Sequence, residues 1–443
     1  MNQIKLLVIA ILICGYGYHA NAQYTQALTK EKKEMVVKTI GQLLNDNYIF
    51  PEKAREMADF IHQKQAEQKY ATLTDPLEFA TQLSEDLQSI SHDLHINVRF
   101  DPQMVSEVRM SQTVEDSLEF IDLMDSREAR ENYGFTEVKM LSDGVGYLKL
   151  TGFSGSANAG EAAAAAMNFL ARSEALIIDL RQNGGGSPDM IQILSSYLYA
   201  AGTRVHLNDF YSRQVDETEQ RWTLPYVPGK RMPETDVFVL TSSRTFSAAE
   251  EFTYNLKNLK RATIIGETTG GGAHPGGVMV ISDEFGIFIP NGRAINPITK
   301  TNWEGTGVAP DINVPARQAL DEAHFLAVDK LAEKYAGDPE NPYSWTRDQL
   351  KAVAHPYFLE ESQLKQFAGD FGPRKITLTG TKLFYQRDAG PEYELKPMAE
   401  DLFMIEEIPY FRLRFVREEG KIIAVEGIYD NGRRDKNMKV LNP

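Results

Sequence analysis

Between residues 145 and 265 short apolar runs take turns with amphipathic stretches, and that alternation leaves few architectures open. Val145-Gly-Tyr-Leu-Lys-Leu150, Leu176-Ile-Ile-Asp-Leu180, Val237-Phe-Val-Leu240 and Ala262-Thr-Ile-Ile265 have the length and composition of buried strands. Helical spacing follows the first three. It covers Glu161 to Arg172, then Pro188 to Leu198 with Ser187 as N-cap. A third stretch opens at Ser247, where Ala249, Phe252, Leu256 and Leu259 share one face. Successive strand–helix units imply right-handed crossovers, so the centre of the chain is expected to be an α/β core.

The flanks read differently. Residues 23–100 are mainly helical in pattern: Leu28 to Leu44, Pro51 to Gln68, and Asp75 to Ile90 with Pro76 at the helix start. Leu94 to Phe100 then looks like a strand. Gly337-Asp-Pro-Glu-Asn-Pro342 has the composition of a linker. Beyond it Phe411-Arg-Leu-Arg-Phe415 alternates with period two, and Glu419-Gly420 separates it from Ile422-Ile-Ala-Val425. The expected division is a leader at 1–22, an N-terminal helical domain at 23–100, an α/β core at 101–335 and a small β-rich domain at 345–443. The last carries no catalytic signature.

The leader rests on Lys5, the apolar run from Leu6 to Cys14 and Ala20-Asn-Ala22, which together have the form of a secretory signal cut before Gln23. The run is too short to span a bilayer. Cys14 is the only cysteine, so the mature chain is expected to hold no disulfide; an exported chain of that kind depends on its core, which roughly 420 residues can supply. The formal net charge is −15, and loss of Lys5 with the leader makes it −16. Such a surface argues against nucleic acid or an anionic membrane as partner. No pattern in the chain sets an oligomeric state.

Two strand-to-helix junctions carry polar chemistry. In Thr245-Phe-Ser247-Ala-Ala-Glu250 a hydroxyl stands where first-turn N–H groups and the helix dipole stabilise developing negative charge. The same residues also fit a capping box, in which the serine only satisfies an N–H. In Asp179-Leu-Arg-Gln-Asn-Gly184-Gly185-Gly186 three glycines let the backbone approach a ligand. Neither GxGxxG spacing nor a Gly-Lys-Ser/Thr ending is present, which removes the common nucleotide motifs. An oxyanion hole pairing a glycine N–H with that of Ala248 is one reading, and a tight turn is the other.

Taken in order, Asp179-Leu-Arg-Gln-Asn-Gly-Gly-Gly, Phe246-Ser-Ala-Ala-Glu-Glu-Phe, Ile265-Gly-Glu-Thr-Thr-Gly-Gly-Gly272 and Gly305-Thr-Gly-Val-Ala-Pro-Asp311 resemble the tail-specific, or C-terminal-processing, serine peptidases. The branch with interphotoreceptor retinoid-binding protein and tricorn core protease looks most similar, and the resemblance covers roughly residues 25–320. It implies a crotonase/ClpP-like α/β core and hydrolysis of peptide bonds near free C-termini. Many members use a serine–lysine dyad, and here the lysine position falls on Gly272. The stretch from Phe100 to Gly144 is also too short for the PDZ domain that many relatives insert there.

Without that lysine Ser247 requires another base, and imidazole suits neutral pH. Asp93-Leu-His95 matches the position of the base in the tricorn-like branch, so the resemblance assigns His95. It assigns the orienting carboxylate to Glu304, with Asp311 as alternative. His274, near the lysine position, is the second candidate base or a substrate contact, with Gly184 and Gly186 as further cleft residues. Gly185 and Ala248 would form the oxyanion hole. No helical His-Glu-x-x-His or other ligand cluster appears, so neither metal nor cofactor is expected. The expected function is an exported serine peptidase acting on proteins or peptides through an acyl-enzyme. A catalytically silent binding module of the same fold, for an apolar small molecule or peptide, is the alternative.

Overall fold

The computed structural model of the chain describes residues 27–111, 114–338 and 341–440. The leader, Cys14 and the cut before Gln23 lie outside the described residues. Two compact units divide between Leu320 and Asp321.

The first unit opens with α1 (Lys30–Asn47), α2 (Pro51–Ala66) and α3 (Pro76–Ser91). Proline at the first turn of α2 and α3 suits a position whose N–H has no helical acceptor. Asp75 caps α3 by accepting Leu77 N–H and Glu78 N–H at 2.7 and 3.0 Å. The helix stops at His92, in the left-handed region at φ 58. Asp93 Oδ1 then takes the N–H of His95 at 3.0 Å, and Ile96 N–H bonds Asp93 O at 3.2 Å. This Asx turn delays the strand: β1 runs Asn97–Phe100, so His95 lies in a turn and not in the expected strand.

Two helices follow, α4 (Pro102–Met110) and α5 (Val114–Ala129), then β2 (Phe135–Met140). The central alternation is β3 (Val145–Leu150), α6 (Ala159–Leu170), β4 (Ala175–Asp179) and α7 (Pro188–Tyr197). A hairpin of β5 (His206–Ser212) and β6 (Glu217–Trp222) intervenes before β7 (Asp236–Thr241), α8 (Ala248–Asn258) and β8 (Ala262–Gly266). The strands β9 (Gly276–Val280), β10 (Phe285–Pro290), β11 (Gly292–Ile295) and β12 (Ile312–Asn313) complete the unit.

The main sheet has the order β12-β8-β7-β4-β3-β2, parallel except for β2. Every residue of β4 is buried, as a strand covered on both faces requires. Leu176, Ile178, Val237 and Val239 share a core with Ala163 and Leu170 of α6, Ile191 and Leu194 of α7, and Phe252 and Leu256 of α8. A second sheet, β1-β10-β9, forms one core with the N-terminal helices: Val36, Ile40, Leu44, Phe79 and Leu83 pack with Phe285, Ile287 and Ile289. The turn between α3 and β1 is thereby fixed at the edge of that sheet.

In the second unit eight antiparallel strands, from Gly369–Phe371 to Arg434–Met438, pair in chain order. Val440 N–H returns to Asp370 O at 2.8 Å, linking the last strand to the first. Phe367, Phe371, Phe403, Leu413 and Phe415 fill the interior, and fully buried Arg374 pairs with Asp435 at 2.6 Å. Among the described residues no helix is long and apolar enough to cross a membrane.

Candidate active site

Ser247 stands between β7 and α8 with φ 54 and ψ −121. A side chain held in that region stores about 1–3 kcal/mol of backbone strain, which the surroundings must hold in place. They do so at three points. Thr245 Oγ1 donates to Leu180 O at 2.8 Å, Phe246 N–H donates to Asn183 O at 3.1 Å, and Ser247 N–H donates to Glu250 Oε2 at 2.9 Å. The first two stitch the Ser247 turn to the Asp179–Gly186 loop.

Glu250 is fully buried and binds more than the serine. Its Oε1 accepts Thr269 O–H at 2.5 Å and Gly271 N–H at 2.7 Å, while Oε2 also accepts Gly272 N–H at 2.8 Å. Burial pushes its carboxyl up to about 7, against these four donors, which favour the ionised form. One carboxylate thus joins Ser247 to the glycine loop Gly270–Gly272.

Gly185 explains the spacing between the two junctions. A Cβ on it would lie 2.8 Å from Ser247 Cβ and 3.0 Å from Ala248 N, and its φ is +115. The backbone passes so close that only glycine fits. Its N–H, expected to serve the oxyanion, donates to Asn183 Oδ1 at 2.9 Å inside the loop. Gly186 is engaged next to Phe153, where Ser187 N–H bonds Phe153 O at 2.6 Å. The Ala248 N–H, in the first turn of α8, has no acceptor within the helix.

His95 Nε2 lies 3.1 Å from Ser247 Oγ, although 152 residues separate them. The ring is held between Phe246, with centroids 4.7 Å apart, and Phe288, stacked at 5.6 Å. A Cβ on Gly272 would come within 2.6 Å of His95 Cε1 and 2.2 Å of Phe246 Cζ. The imidazole and the phenyl ring therefore fill the space that a side chain at Gly272 would need.

The carboxylate facing His95 Nδ1 is Asp93, with Oδ1 at 3.7 Å. Asp93 is 1% exposed, and its Oδ2 is shared by Tyr48 O–H at 3.2 Å and His274 Nδ1 at 2.8 Å. Burial alone would raise this carboxyl. Hydrogen bonds and charge from His274 and His95 override it and hold Asp93 below the usual carboxylate range. Burial and the Asp93 charge push the Tyr48 hydroxyl upward.

Glu304 is not brought to His95. Its Oε2 lies 3.3 Å from His274 Nδ1 and accepts Ala273 N–H at 2.6 Å. The Asx turn seats Asp93 beside His95 first, and the Trp303–Gly307 turn belongs to the glycine loop, where Trp303 Nε1 donates to Gly272 O at 2.7 Å. Burial and the Asp93 charge push Glu304 up to about 7, with His274 opposing. Asp311 Oδ2 accepts the N–H of Ile264 in β8 at 2.8 Å, and Lys257 pairs with Asp311 at 3.0 Å, so neither reaches Ser247. The sequence carries no signal that assigns Asp93 a role, because a spacing of two from His95 does not by itself turn a carboxylate toward the ring.

Asp93, His274 and Glu304 form the one group among the described residues able to hold a metal ion, with ligand atoms within 4.8 Å of one another. His274 Nδ1 and Asp93 Oδ2 stand 2.8 Å apart. Two ligands about 2.0 Å from tetrahedral zinc would sit about 3.3 Å apart. The shorter separation is that of a hydrogen bond.

Residues 144–314 match the model of peptidase family S41, and residues 22–133 match that of the N-terminal domain of Peptidase_S41 in eukaryotic IRBP. The chain is 32% identical over 187 residues to carboxyl-terminal-processing peptidase 2, chloroplastic, of Arabidopsis thaliana, covering 41% of this chain and 34% of the relative. It is 32% identical over 100 residues to the tail-specific protease of Haemophilus influenzae, covering 23% of this chain and 13% of that protein. The chain thus spans about a third or less of the length of these relatives. The solved structure of mature CPAF aligns at 13% identity with a TM-score of 0.46, covering 70% of this chain and 98% of that one.

Proposed function

The chain belongs to peptidase family S41, and on that premise we propose that it is an exported serine peptidase cleaving peptide bonds near free C-termini. The observation that carries this reading is the 3.1 Å approach of His95 Nε2 to Ser247 Oγ. The names of the two relatives support the C-terminal preference, and the leader pattern of residues 1–22 supports export. The parallel β3–β4–β7–β8 order, with helices at each crossover, supports a crotonase/ClpP-like core.

In this mechanism His95 accepts the Ser247 proton as Oγ attacks the carbonyl carbon of the scissile bond, and the carbonyl π electrons move to oxygen. The N–H of Ala248 and the N-terminal end of the α8 dipole stabilise that oxyanion. The oxyanion then collapses and the C–N bond breaks as His95 gives its proton to the leaving amine; water, deprotonated by His95, attacks the acyl carbon, and the ester C–O bond breaks as Ser247 Oγ takes the proton back. Asp93 stabilises the imidazolium, and its 3.7 Å separation from Nδ1 shortens as charge develops. The strained Ser247 backbone keeps Oγ aimed between His95 and Ala248, which is pre-organisation that the protein already supports.

Hydrolysis of unstructured peptides by the parent, Ser247→Ala and His95→Ala tests the proposal. Each substitution should cost several orders of magnitude in kcat, and the double variant should lose no more than either single one. A parent that cleaves no peptide, or a His95→Ala variant that keeps its activity, would refute it.

A further inference from the structure

We propose that His274 is a positioning residue, acting on His95 through Asp93, and that Glu304 orients His274 in turn. The inference rests on the peptidase reading above. The geometry links Ser247 Oγ to His95 Nε2, His95 Nδ1 to Asp93 Oδ1, and Asp93 Oδ2 to His274 Nδ1, and that same nitrogen also lies 3.3 Å from Glu304 Oε2.

The two oxygens of Asp93 divide the work. Oδ1 takes the backbone N–H of His95 and faces its ring, whereas Oδ2 is held by Tyr48 and His274. The shorter of those two contacts is the one from His274, at 2.8 Å against 3.2 Å. A buried carboxylate pinned at both oxygens cannot swing away from the imidazole beside it. His274 itself is 6% exposed and packs edge-on against Phe50, with centroids 5.4 Å apart. It is too firmly held by two carboxylates to serve as a mobile base.

The ionisable groups facing Asp93 come from three elements: Tyr48 after α1, His95 in its own turn, and His274 with Glu304 from the glycine loop and its supporting turn. Only His95 and His274 can offer it a positive charge. Removing His274 leaves the buried anion with the His95 backbone N–H on Oδ1 and only the long Tyr48 bond on Oδ2, so Asp93 either takes up a proton or turns Oδ2 away. In both cases the imidazolium of His95 loses its stabilising charge.

The experiment compares kcat and KM of the parent, His274→Ala, His274→Asn, Asp93→Asn and the Asp93→Asn/His274→Ala double variant on one unstructured peptide. Asparagine can present an amide N–H near the position of Nδ1. His274→Ala should lower kcat by about 10–100-fold with KM nearly unchanged, and His274→Asn should recover most of that loss. Adding His274→Ala to Asp93→Asn should cost little more. A second readout needs no turnover: ring nitrogen NMR of His95 in Ser247→Ala protein. There the Nδ1–H tautomer should dominate in the parent background and with His274→Asn, and give way to a mixture with His274→Ala.

Unchanged kcat and tautomer in His274→Ala would overturn the inference. So would His274→Asn as inactive as His274→Ala, or full multiplication of the two losses in the double variant. A parent inactive on every peptide would instead strike the peptidase reading, and the tautomer measurement would still decide the role of His274.

Discussion

Replacing Glu250 by glutamine is the sharpest perturbation of the support beneath Ser247. Each carboxylate oxygen accepts two donors: Thr269 O–H and Gly271 N–H on one, Ser247 N–H and Gly272 N–H on the other. A glutamine amide keeps one oxygen and turns the other into a donor. The Thr269 side reverses more easily, since a hydroxyl can rotate, and that leaves the Gly271 N–H buried without an acceptor. An orphaned buried N–H costs about 1–3 kcal/mol. Relief from burying a charge offsets part of this, so a net loss of about 2 kcal/mol is expected, or roughly 3 °C in Tm for a unit of about 300 residues. The displaced amide also loosens the tie between Ser247 and the glycine loop, and a sub-ångström shift of Oγ should lower kcat about 100-fold with little effect on KM. Urea titration and steady-state kinetics on the same preparation measure both. A Glu250→Gln variant that loses stability yet retains kcat would show that the carboxylate supports the fold alone and does not position Ser247.

Gly185→Ala should reduce kcat by at least about 100-fold and destabilise by about 1–3 kcal/mol, because its Cβ would collide with Ser247 Cβ at a φ of +115. Gly160→Ala, on α6 with nothing within 4 Å of the added carbon, should leave kcat unchanged; equal effects at the two sites would refute the close-approach reading. Glu251, buried beside Asn208 and Asn255, has its carboxyl pushed by burial from 4.5 up to about 8. Between those values the folded chain keeps a proton that the unfolded chain releases, so stability falls as pH rises, by up to about 1.4 kcal/mol per unit. Urea midpoints at several pH values should show a shallower decline for Glu251→Gln, and parallel curves would contradict the assignment.

The alternating centre of the chain was legible because parallel strands covered on both faces must be apolar runs, as Ala175–Asp179 and Asp236–Thr241 are. The helices up to Ser91 were legible from Pro51, Pro76 and Asp75, local signals that act within one turn. The hairpin His206–Trp222 was not, since its half-exposed strands mix polar and aromatic residues and its first strand pairs with Gly292–Ile295 far along the chain. In the site, Ser247 announced itself by its junction. The partners of His95 did not, because a packed fold decides which carboxylate reaches an imidazole. Asp93 wins by a side-chain hydrogen bond to the His95 backbone, and Glu304 is carried to His274 by its turn. The engagement of Gly185 N–H by Asn183 is equally a property of the folded loop.

The most direct measurement is the site of attachment of a reactive organophosphonate, mapped by mass spectrometry. Its phosphorus forms a bond to an activated serine oxygen as the leaving group departs. Stoichiometric attachment to Ser247 is expected in the parent, with loss of attachment in His95→Ala while that variant remains folded. Attachment at another serine, or equal labelling of Ser247 with and without His95, would contradict a nucleophile activated across the 3.1 Å contact.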